Sequence, residues 1–225
     1  MIRWLPCLII LAGCVINSPS PTHQSRADTK SHMGETGVFY FYSHLNENAK
    51  EPFTNTGTGF LTSSTGCFWT TYHQYAHTLE RKAKPAMWQF ELMPLRIWQS
   101  LDLVLYKTKY NFSYLPFIKL TQAHYKLQPG ELVLAIAGES GHKVLEAADP
   151  VEEYVEVIDR DFTVYRWGYR LQGKLQVKDS GSPIVNAQGE AIGVVISGNE
   201  TLDKITAIPI SQELLTKEKE LNLCK

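Results

Sequence analysis

The chain has 225 residues, of which 44% are hydrophobic and 20% are charged, and its 22 basic residues nearly balance its 23 acidic ones. This hydrophobic content is sufficient for a folded core, whereas the balanced charge, with no basic stripe, argues against a protein that binds nucleic acid. No second apolar run after the N-terminal one suggests a membrane span.

The first residues have the layout of a secretory signal, because Arg3 precedes an apolar run over 5–12 that is too short for a permanent membrane helix. The motif LAGC (11–14) resembles the lipobox of bacterial lipoproteins, in which the cysteine receives acyl chains such as palmitate and becomes the new N-terminus. The resemblance implies a signal peptide over 1–13 and lipidation at Cys14, which would anchor the protein to the membrane of the bacterial cell envelope, on its periplasmic or cell-surface side. The alternative is an ordinary cleaved signal that carries a chance cysteine.

Residues 14–36 are rich in Ser, Pro, Thr and His and nearly free of large apolar side chains. Such a segment cannot bury enough surface to offset its ordering entropy, so it is predicted to be a flexible tether. From Gly37 onward aromatic and β-branched residues become dense, and the roughly 190 residues that remain are enough for one sizeable core or two small barrels.

The body of the chain consists of short apolar or alternating segments separated by Gly, Pro, Asn, Asp and Ser, a pattern typical of β-strands. No helical periodicity appears between them, which favours barrels or a sandwich over a βαβ sheet. At the end, four leucines lie among charges and Ser211 can serve as an N-cap, which predicts a short helix over 211–223. The predicted strands are 37–44, 57–63, 67–72, 86–93, 102–108, 131–138, 154–158, 161–169, 191–198 and 204–210.

The most informative segment is KDSGSPIVNAQGEAIGVV (178–195). A serine nucleophile needs a tight, glycine-permitted loop that exposes its hydroxyl and points backbone amides at the oxyanion of the reaction intermediate. The segment resembles the active-serine segment of trypsin-like (chymotrypsin-fold) serine proteases, particularly bacterial members of the glutamyl-endopeptidase and Deg-type groups. The resemblance implies Ser180 as nucleophile and the amides of Lys178 and Ser180 as the oxyanion hole.

Two upstream segments resemble the parts of the same family that carry the general base and its orienting acid. GTGFLTSSTGCFWTTYHQ (57–74) is similar to the family's Gly-x-Gly-Phe and Thr-x-x-His segment, which implies His73 as the base. SLDLVLYKT (100–108) is similar to its Asp-Leu-Ala-Leu-Leu-Lys segment, which implies Asp102 as the acid. His77 is a rival base, but it lacks the Thr-x-x-His context.

The resemblance covers roughly residues 37 to 222 and implies an all-β, trypsin-like domain over 37–225. Its two six-stranded antiparallel β-barrels would span about 37–122 and about 123–210, and the short C-terminal helix over 211–223 would follow.

Two positions bear on activity. The family usually has glycine where this chain has Lys178, and a Cβ there makes an unusual backbone orientation harder to hold. In animal relatives a new N-terminal amine neutralises the carboxylate that corresponds to Asp179. A lipid-bound N-terminus excludes that route, so Asp179 needs another partner: a Lys, an Arg or a ring of backbone amides.

The resemblance also places the substrate-binding residues. Lys174 lies near the position that forms the pocket floor, and Ile196, Ser197 and Gly198 would line its wall and pair with the substrate backbone. A cationic floor would suit an acidic side chain before the scissile bond, whereas a Lys174 turned to solvent would leave an apolar pocket.

Of the four cysteines, Cys7 leaves with the signal and Cys14 takes the lipid. Cys67 and Cys224 remain. In an exported protein they either form a disulfide or persist as a buried thiol and a frayed one.

The expected function is that of a serine endopeptidase acting on polypeptides at the bacterial envelope. No metal or organic cofactor is expected, because no His/Cys/Asp cluster has metal-ligand spacing. The alternative is a trypsin-like binding module, an anchored adhesin or regulator, which keeps the triad residues around a collapsed oxyanion hole. Lys178 favours the binding module, whereas retention of all three triad residues favours the enzyme.

Overall fold

The computed structural model describes residues 36–44, 53–80, 82–87, 90–138, 140–159, 162–199, 203–216 and 224. The predicted signal peptide, the lipidation site Cys14 and all but the last residue of the predicted tether lie outside the described residues. Within the described part of the chain, no helix has the length and apolarity needed to cross a membrane.

The first barrel is closed and has six strands in the order β1-β2-β3-β6-β5-β4, each antiparallel to its neighbours. Aromatic and aliphatic side chains such as Phe41, Phe68 and Tyr106 fill its interior and are fully buried. Closure pairs the strands into a ring, so this barrel has no open sheet edge. The strands are β1 (Val38–His44), β2 (Phe53–Leu61), β3 (Cys67–Thr71), β4 (Lys84–Met87), β5 (Phe90–Trp98) and β6 (Leu103–Thr108).

The second barrel repeats this architecture in the order β10-β11-β12-β9-β8-β7. Its own core includes Val133, Leu171 and Ile192. The strands are β7 (Leu132–Ala137), β8 (Gly141–Asp159), β9 (Phe162–Gln172), β10 (Pro183–Val185), β11 (Ala191–Asn199) and β12 (Lys204–Pro209).

A third cluster of buried side chains joins the two barrels. It contains Phe60 and Trp69 from the first barrel, Val194 and Ile208 from the second, and Leu215 from the C-terminal helix. Burial of this much apolar surface between the barrels fixes their relative position, because separating them would expose it to water.

The predicted fold class is confirmed: the chain is mostly strand and forms two closed six-stranded antiparallel barrels. A helix, α2 (Gln212–Thr216), occupies the described part of the predicted terminal helix, whose remainder over 217–223 lies outside the described residues. The segment 86–93, predicted as one strand, is divided between β4 and β5, which form an antiparallel pair.

One helix was not predicted. The segment α1 (Tyr72–Glu80) follows β3 directly, and its buried residues are Gln74 and Thr78. Both buried side chains are polar, and Tyr72 and Tyr75, which pack against the core of the first barrel, are only partly buried. The preceding segment CFWTTY (67–72) is typical of a strand, so the sequence gives no sign that a helix begins at Tyr72.

Cys67 on β3 and Cys224 form a disulfide, with their Cα atoms 5.6 Å apart. This decides between the two alternatives that the sequence left open. The bond spans 157 residues and ties the end of the chain to the first barrel after the chain has completed the second. Cross-links over long loops restrict the unfolded chain and typically stabilise a fold by about 2–5 kcal/mol.

Candidate active site

His73 and Asp102 form a hydrogen-bonded pair at one end of the first barrel. Thr71 and Leu103 are partners in the β3–β6 ladder, so the start of α1 lies beside the residue that precedes β6. The His73 backbone N–H donates to Asp102 Oδ1 at 2.8 Å, and His73 Nδ1 lies 2.8 Å from Asp102 Oδ2. Both carboxylate oxygens therefore hold the same histidine, one through its backbone and one through its ring.

The backbone at Asp102 is held as firmly as its side chain. The residue has a left-handed conformation, with φ of 56°, after a 3-10 turn over Gln99–Leu101. Its carbonyl accepts the Tyr72 N–H at 2.9 Å, and its side chain is completely buried. Aspartate tolerates this region of φ better than most residues, and such strained backbone is typical of functional sites.

The hydrogen bond to Asp102 sets the tautomer of the His73 ring. A carboxylate only accepts, so the proton of the neutral imidazole lies on Nδ1 and leaves a lone pair on Nε2. This is the tautomer that a general base needs. The double contact with Asp102 favours His73 over His77 as that base.

Ser180 lies in a tight loop, residues 177–181, that begins with a 3-10 turn over Val177–Asp179 and ends at Gly181. Because Ser180 is the candidate nucleophile, we call this segment the nucleophile loop. Gly181 has a φ of 90°, and a Cβ there would lie 1.8 Å from the Thr58 carbonyl oxygen, so the position requires glycine. The Ser180 hydroxyl donates to the Ile196 carbonyl at 3.4 Å.

Ser180 and His73 are not hydrogen-bonded to each other in this conformation. His73 Nε2 lies 3.3 Å from Thr71 Oγ1, and the described residues show no hydrogen bond between Ser180 Oγ and Nε2. A rotation of the serine side chain away from the Ile196 carbonyl is needed before the proton can pass. Contacts of this kind often tighten only when substrate binds.

The loop that would supply the oxyanion hole also has a resting conformation. The 3-10 turn over Val177–Asp179 places the Val177 carbonyl on the side of the Ser180 amide, and the contacts of the described residues include no hydrogen bond between them. Lys178 has no positive φ, and its carbonyl accepts a hydrogen bond from Thr58 Oγ1 at 3.0 Å.

The Asp179 carboxylate is fully buried and has partners of a kind that the sequence led us to expect. It accepts the backbone N–H groups of Ser140 at 3.2 Å and Gln176 at 2.7 Å, and it also accepts the Ser140 hydroxyl. Backbone amides and one hydroxyl thus compensate the buried charge. Ser140 lies between β7 and β8, so the contact fastens this turn to the nucleophile loop.

The substrate-binding residues expected from the sequence occupy two neighbouring segments of the second barrel. Ile196 is buried, Ser197 is half-buried and Gly198 is exposed, all on β11. Lys174 is turned to solvent, with 74% of its side chain exposed and Nζ 3.6 Å from Asp203 Oδ1.

Gly198 lies next to Leu175 and Ile205. A Cβ at this position would lie 3.9 Å from Ile205 Cγ1, 3.9 Å from the Leu175 carbonyl oxygen and 4.0 Å from Leu175 Cβ. The surroundings of Gly198 are therefore aliphatic carbon together with one backbone carbonyl oxygen.

Two residues of the site were not found from the sequence. Ser140 belongs to none of the motifs described above. Gln74 is the last residue of the segment 57–74 that contains His73, and nothing in that segment indicates a role for it. In the structure Gln74 Nε2 donates to the Ser180 carbonyl oxygen across 106 residues of sequence. In the described ranges no group of three His, Cys, Asp or Glu side chains is arranged to hold a metal ion.

The two barrels, with the Asp102–His73 pair on one and the glycine-bounded serine loop on the other, define the class of the protein as one with a serine protease fold. Residues 57–194, more than half of the chain, match the model of the family described as "Trypsin-like peptidase domain". The chain therefore belongs to the trypsin-like peptidase family. A comparison with curated protein sequences finds no match.

Solved protease structures share this fold at low sequence identity. The active form of the Rv3671c protease from M. tuberculosis is 17% identical, with a TM-score of 0.59 over 97% of this chain and 95% of that one. The apo MamO protease domain from Magnetospirillum magneticum is 16% identical, with a TM-score of 0.54 over 83% of this chain and 97% of that one. Each is similar to this chain in fold.

Proposed function

We propose that the protein is a serine endopeptidase that cleaves polypeptides with Ser180, His73 and Asp102. The observation that carries this proposal is the buried Asp102 carboxylate holding both the backbone and the ring of His73. A protein that only binds has no physical need for a histidine fixed in the tautomer of a general base.

In the proposed reaction Ser180 Oγ attacks the carbonyl carbon of the scissile bond while its proton passes to His73 Nε2. Asp102 stabilises the resulting imidazolium. The imidazolium then gives its proton to the leaving amine as the C–N bond breaks, which leaves an acyl group on Ser180. A water molecule repeats the sequence, with His73 taking its proton, and releases the carboxylic acid and the free serine.

The oxyanion hole would form by rotation of the peptide group between Val177 and Lys178. The rotation turns the Val177 carbonyl away from the Ser180 amide and points the Lys178 amide at the same site. It also moves Lys178 to positive φ, which costs about 1–2 kcal/mol for a residue with a Cβ. Substrate binding would supply this free energy.

The aliphatic carbons of Leu175 and Ile205 next to Gly198 support a preference for an apolar side chain before the scissile bond. Lys174 would favour an acidic side chain only if its ammonium group entered the pocket, and it points to solvent beside Asp203 instead. We expect peptides with leucine or phenylalanine at this position to be cleaved faster than matched glutamate peptides. Faster cleavage of the glutamate peptides, measured as kcat/KM, would contradict this assignment.

The proposed location is the bacterial envelope, with Cys14 lipidated and residues 14–36 as the tether. The Cys67–Cys224 disulfide supports export, since disulfides persist in oxidising compartments. Metabolic labelling with a palmitate analogue tests this location: incorporation that is lost in Cys14→Ser supports it, and incorporation that persists in Cys14→Ser contradicts it.

The experiment for activity is reaction of the full-length protein, purified in detergent, with a fluorophosphonate probe beside a Ser180→Ala control. Labelling that disappears in the control supports the endopeptidase. No labelling of folded protein at neutral pH contradicts it.

The resting loop favours a second candidate function, a trypsin-like binding module. The Ser180 hydroxyl donates to the Ile196 carbonyl, and the Lys178 carbonyl accepts from Thr58 Oγ1. A folded wild type that stays unlabelled even after Lys178→Gly would support an anchored adhesin or regulator.

A further inference from the structure

We propose that Gln74 is a positioning residue that holds the Ser180 loop at a fixed place relative to His73. The inference rests on the endopeptidase proposed above and deepens it. Gln74 follows His73 in the first turn of α1. Of these two neighbours, His73 contacts Asp102 and Gln74 contacts the nucleophile loop.

The side chain of Gln74 is buried and both ends of its amide are used. It is 2% exposed, its Nε2 donates to the Ser180 carbonyl oxygen at 2.6 Å, and its Oε1 accepts from Thr70 Oγ1 at 2.5 Å. Only the NH₂ end can face a carbonyl oxygen, which fixes the orientation of the amide. The contact joins the two barrels, because α1 belongs to the first and Ser180 to the second.

Gln74 completes a set of donors on the nucleophile loop. The Thr58 N–H also donates to the Ser180 carbonyl oxygen at 2.9 Å, and Thr58 Oγ1 donates to the Lys178 carbonyl at 3.0 Å. The Thr70 hydroxyl has one proton for two acceptors, Gln74 Oε1 and the Thr58 carbonyl at 2.7 Å. Strand β2 thus holds the loop from one side and Gln74 holds it from the helix that carries the base.

Two glycines make room for this arrangement. A Cβ on Gly57 would lie 1.7 Å from Gln74 Nε2, and a Cβ on Gly181 would lie 2.6 Å from Thr70 Oγ1. Any larger residue at Gly57 would displace the amide from the Ser180 carbonyl. Gly57, in the segment that precedes His73, therefore provides space for the side chain of Gln74, which follows His73.

Loss of the Gln74 amide leaves Thr58 as the only described donor to the Ser180 carbonyl oxygen. The loop then gains freedom, and fewer molecules present the Ser180 hydroxyl to His73. The β11 residues expected to bind substrate do not depend on this contact. We therefore expect kcat to fall and KM to change little.

The test compares Gln74→Leu and Gln74→Met with the wild type, in the full-length protein. We expect roughly a 10- to 100-fold loss in the fluorophosphonate labelling rate and in kcat for both variants, the size that loss of a buried hydrogen bond permits. Gln74→Met keeps the length of the side chain, but its thioether cannot donate to the Ser180 carbonyl.

The matched control is Thr78→Val on the same helix. Thr78 is fully buried and bonds to the Gln74 carbonyl and to Ser43, but it does not contact the nucleophile loop. It should lower the melting temperature as Gln74→Leu does while leaving the labelling rate per folded molecule unchanged. Labelling by Gln74→Leu at the rate of Thr78→Val would overturn the proposal.

Hydrogen exchange at the Thr58 amide gives a readout that does not depend on activity. We expect exchange to become at least about tenfold faster in Gln74→Leu but not in Thr78→Val, since only the first variant loosens the Ser180 carbonyl that accepts this amide. Equal exchange in the two variants would overturn the positioning role. If the wild type does not label at all, the endopeptidase proposal fails, and the exchange measurement still decides the role of Gln74.

Discussion

At the scale of single residues, the proposed oxyanion hole depends on the backbone of Lys178. Lys178 has no positive φ in the structure, and the loop rotation proposed above would give it one. Glycine adopts positive φ without the steric cost that a Cβ imposes. Under that proposal, the residue at position 178 sets the equilibrium between the observed loop and one that binds an oxyanion.

We expect Lys178→Gly to react with the fluorophosphonate probe about 5- to 30-fold faster than the wild type, because about 1–2 kcal/mol of backbone strain is removed. Lys178→Ala is the control, since it removes the long side chain but keeps the Cβ. It should react at the wild-type rate. Equal acceleration in both variants would show that the lysine side chain, and not its backbone, limits the reaction.

The roles of the residues differ in how far the sequence can reveal them. His73, Asp102 and Ser180 lie in short local segments whose residue order resembles the family's, so the sequence alone is enough to propose them. The role of Gln74 is hidden from the sequence, because its partner Ser180 is 106 residues away and only the folded barrels bring them together. The direction of Lys174 likewise depends on its contact with Asp203, which no local pattern encodes.

At the scale of elements, the turn between β7 and β8 supports the nucleophile loop through Ser140 and Asp179. The hydroxyl and amide of Ser140 and the amide of Gln176 surround a carboxylate that has no exposed surface. A buried charge that loses a donor is expensive, so the turn and the loop should move together.

We expect Ser140→Ala to lower the labelling rate at Ser180 by roughly tenfold or more, because the Asp179 carboxylate loses its charge-assisted hydroxyl donor. Lys143→Ala is the matched control on β8, since Lys143 is exposed and follows closely in the chain. A Ser140→Ala protein that labels as fast as Lys143→Ala would contradict a supporting role for the turn.

Elements were predicted well where apolar residues alternate and poorly where buried positions are polar. The strands of both barrels carry dense β-branched and aromatic residues, and their class and arrangement are confirmed. Helix α1 was missed because its buried residues, Gln74 and Thr78, are polar and its tyrosines are only partly buried. Gln74 reaches the nucleophile loop, whereas Thr78 bonds to the Gln74 carbonyl and to Ser43 and does not contact that loop.

At the scale of the whole molecule, three tyrosines link stability to alkaline pH. Burial raises the pKa of Tyr106 and of Tyr169, and the hydrogen bond to Glu131 together with burial raises the pKa of Tyr125. The fold therefore prefers the neutral phenols. In the unfolded chain these groups ionise near pH 10, so unfolding is favoured as the pH rises above that value.

We expect the melting temperature to fall between about pH 9 and 11 (about one unit on either side of the ordinary tyrosine pKa). Burial lowers the pKa of Lys107, so the ionisation of this group stabilises the fold as the pH rises. It is one group against three tyrosines, and the loss of stability should dominate. Tyr106→Phe should make the fall in melting temperature at alkaline pH smaller. Thermal unfolding followed by circular dichroism measures this melting temperature. A melting temperature that stays constant through this range would contradict the linkage.

The division of the site between two barrels explains why the relative position of the barrels matters. His73 and Asp102 belong to the first barrel and Ser180 to the second, while the shared apolar cluster packs the barrels together and the disulfide ties Cys224 to Cys67 on β3. The proposed chemistry therefore depends on the whole domain and not on either barrel alone.

The most direct test of the central claim is peptide mapping by mass spectrometry after reaction with a fluorophosphonate, with the rates compared among wild type, His73→Ala and Asp102→Asn. We expect modification of the wild type at Ser180 alone, and rates that are about 10³- to 10⁴-fold lower in the two variants, since both lose the oriented base. Modification at another residue, or at Ser180 with a rate that neither variant changes, would contradict a triad of Ser180, His73 and Asp102.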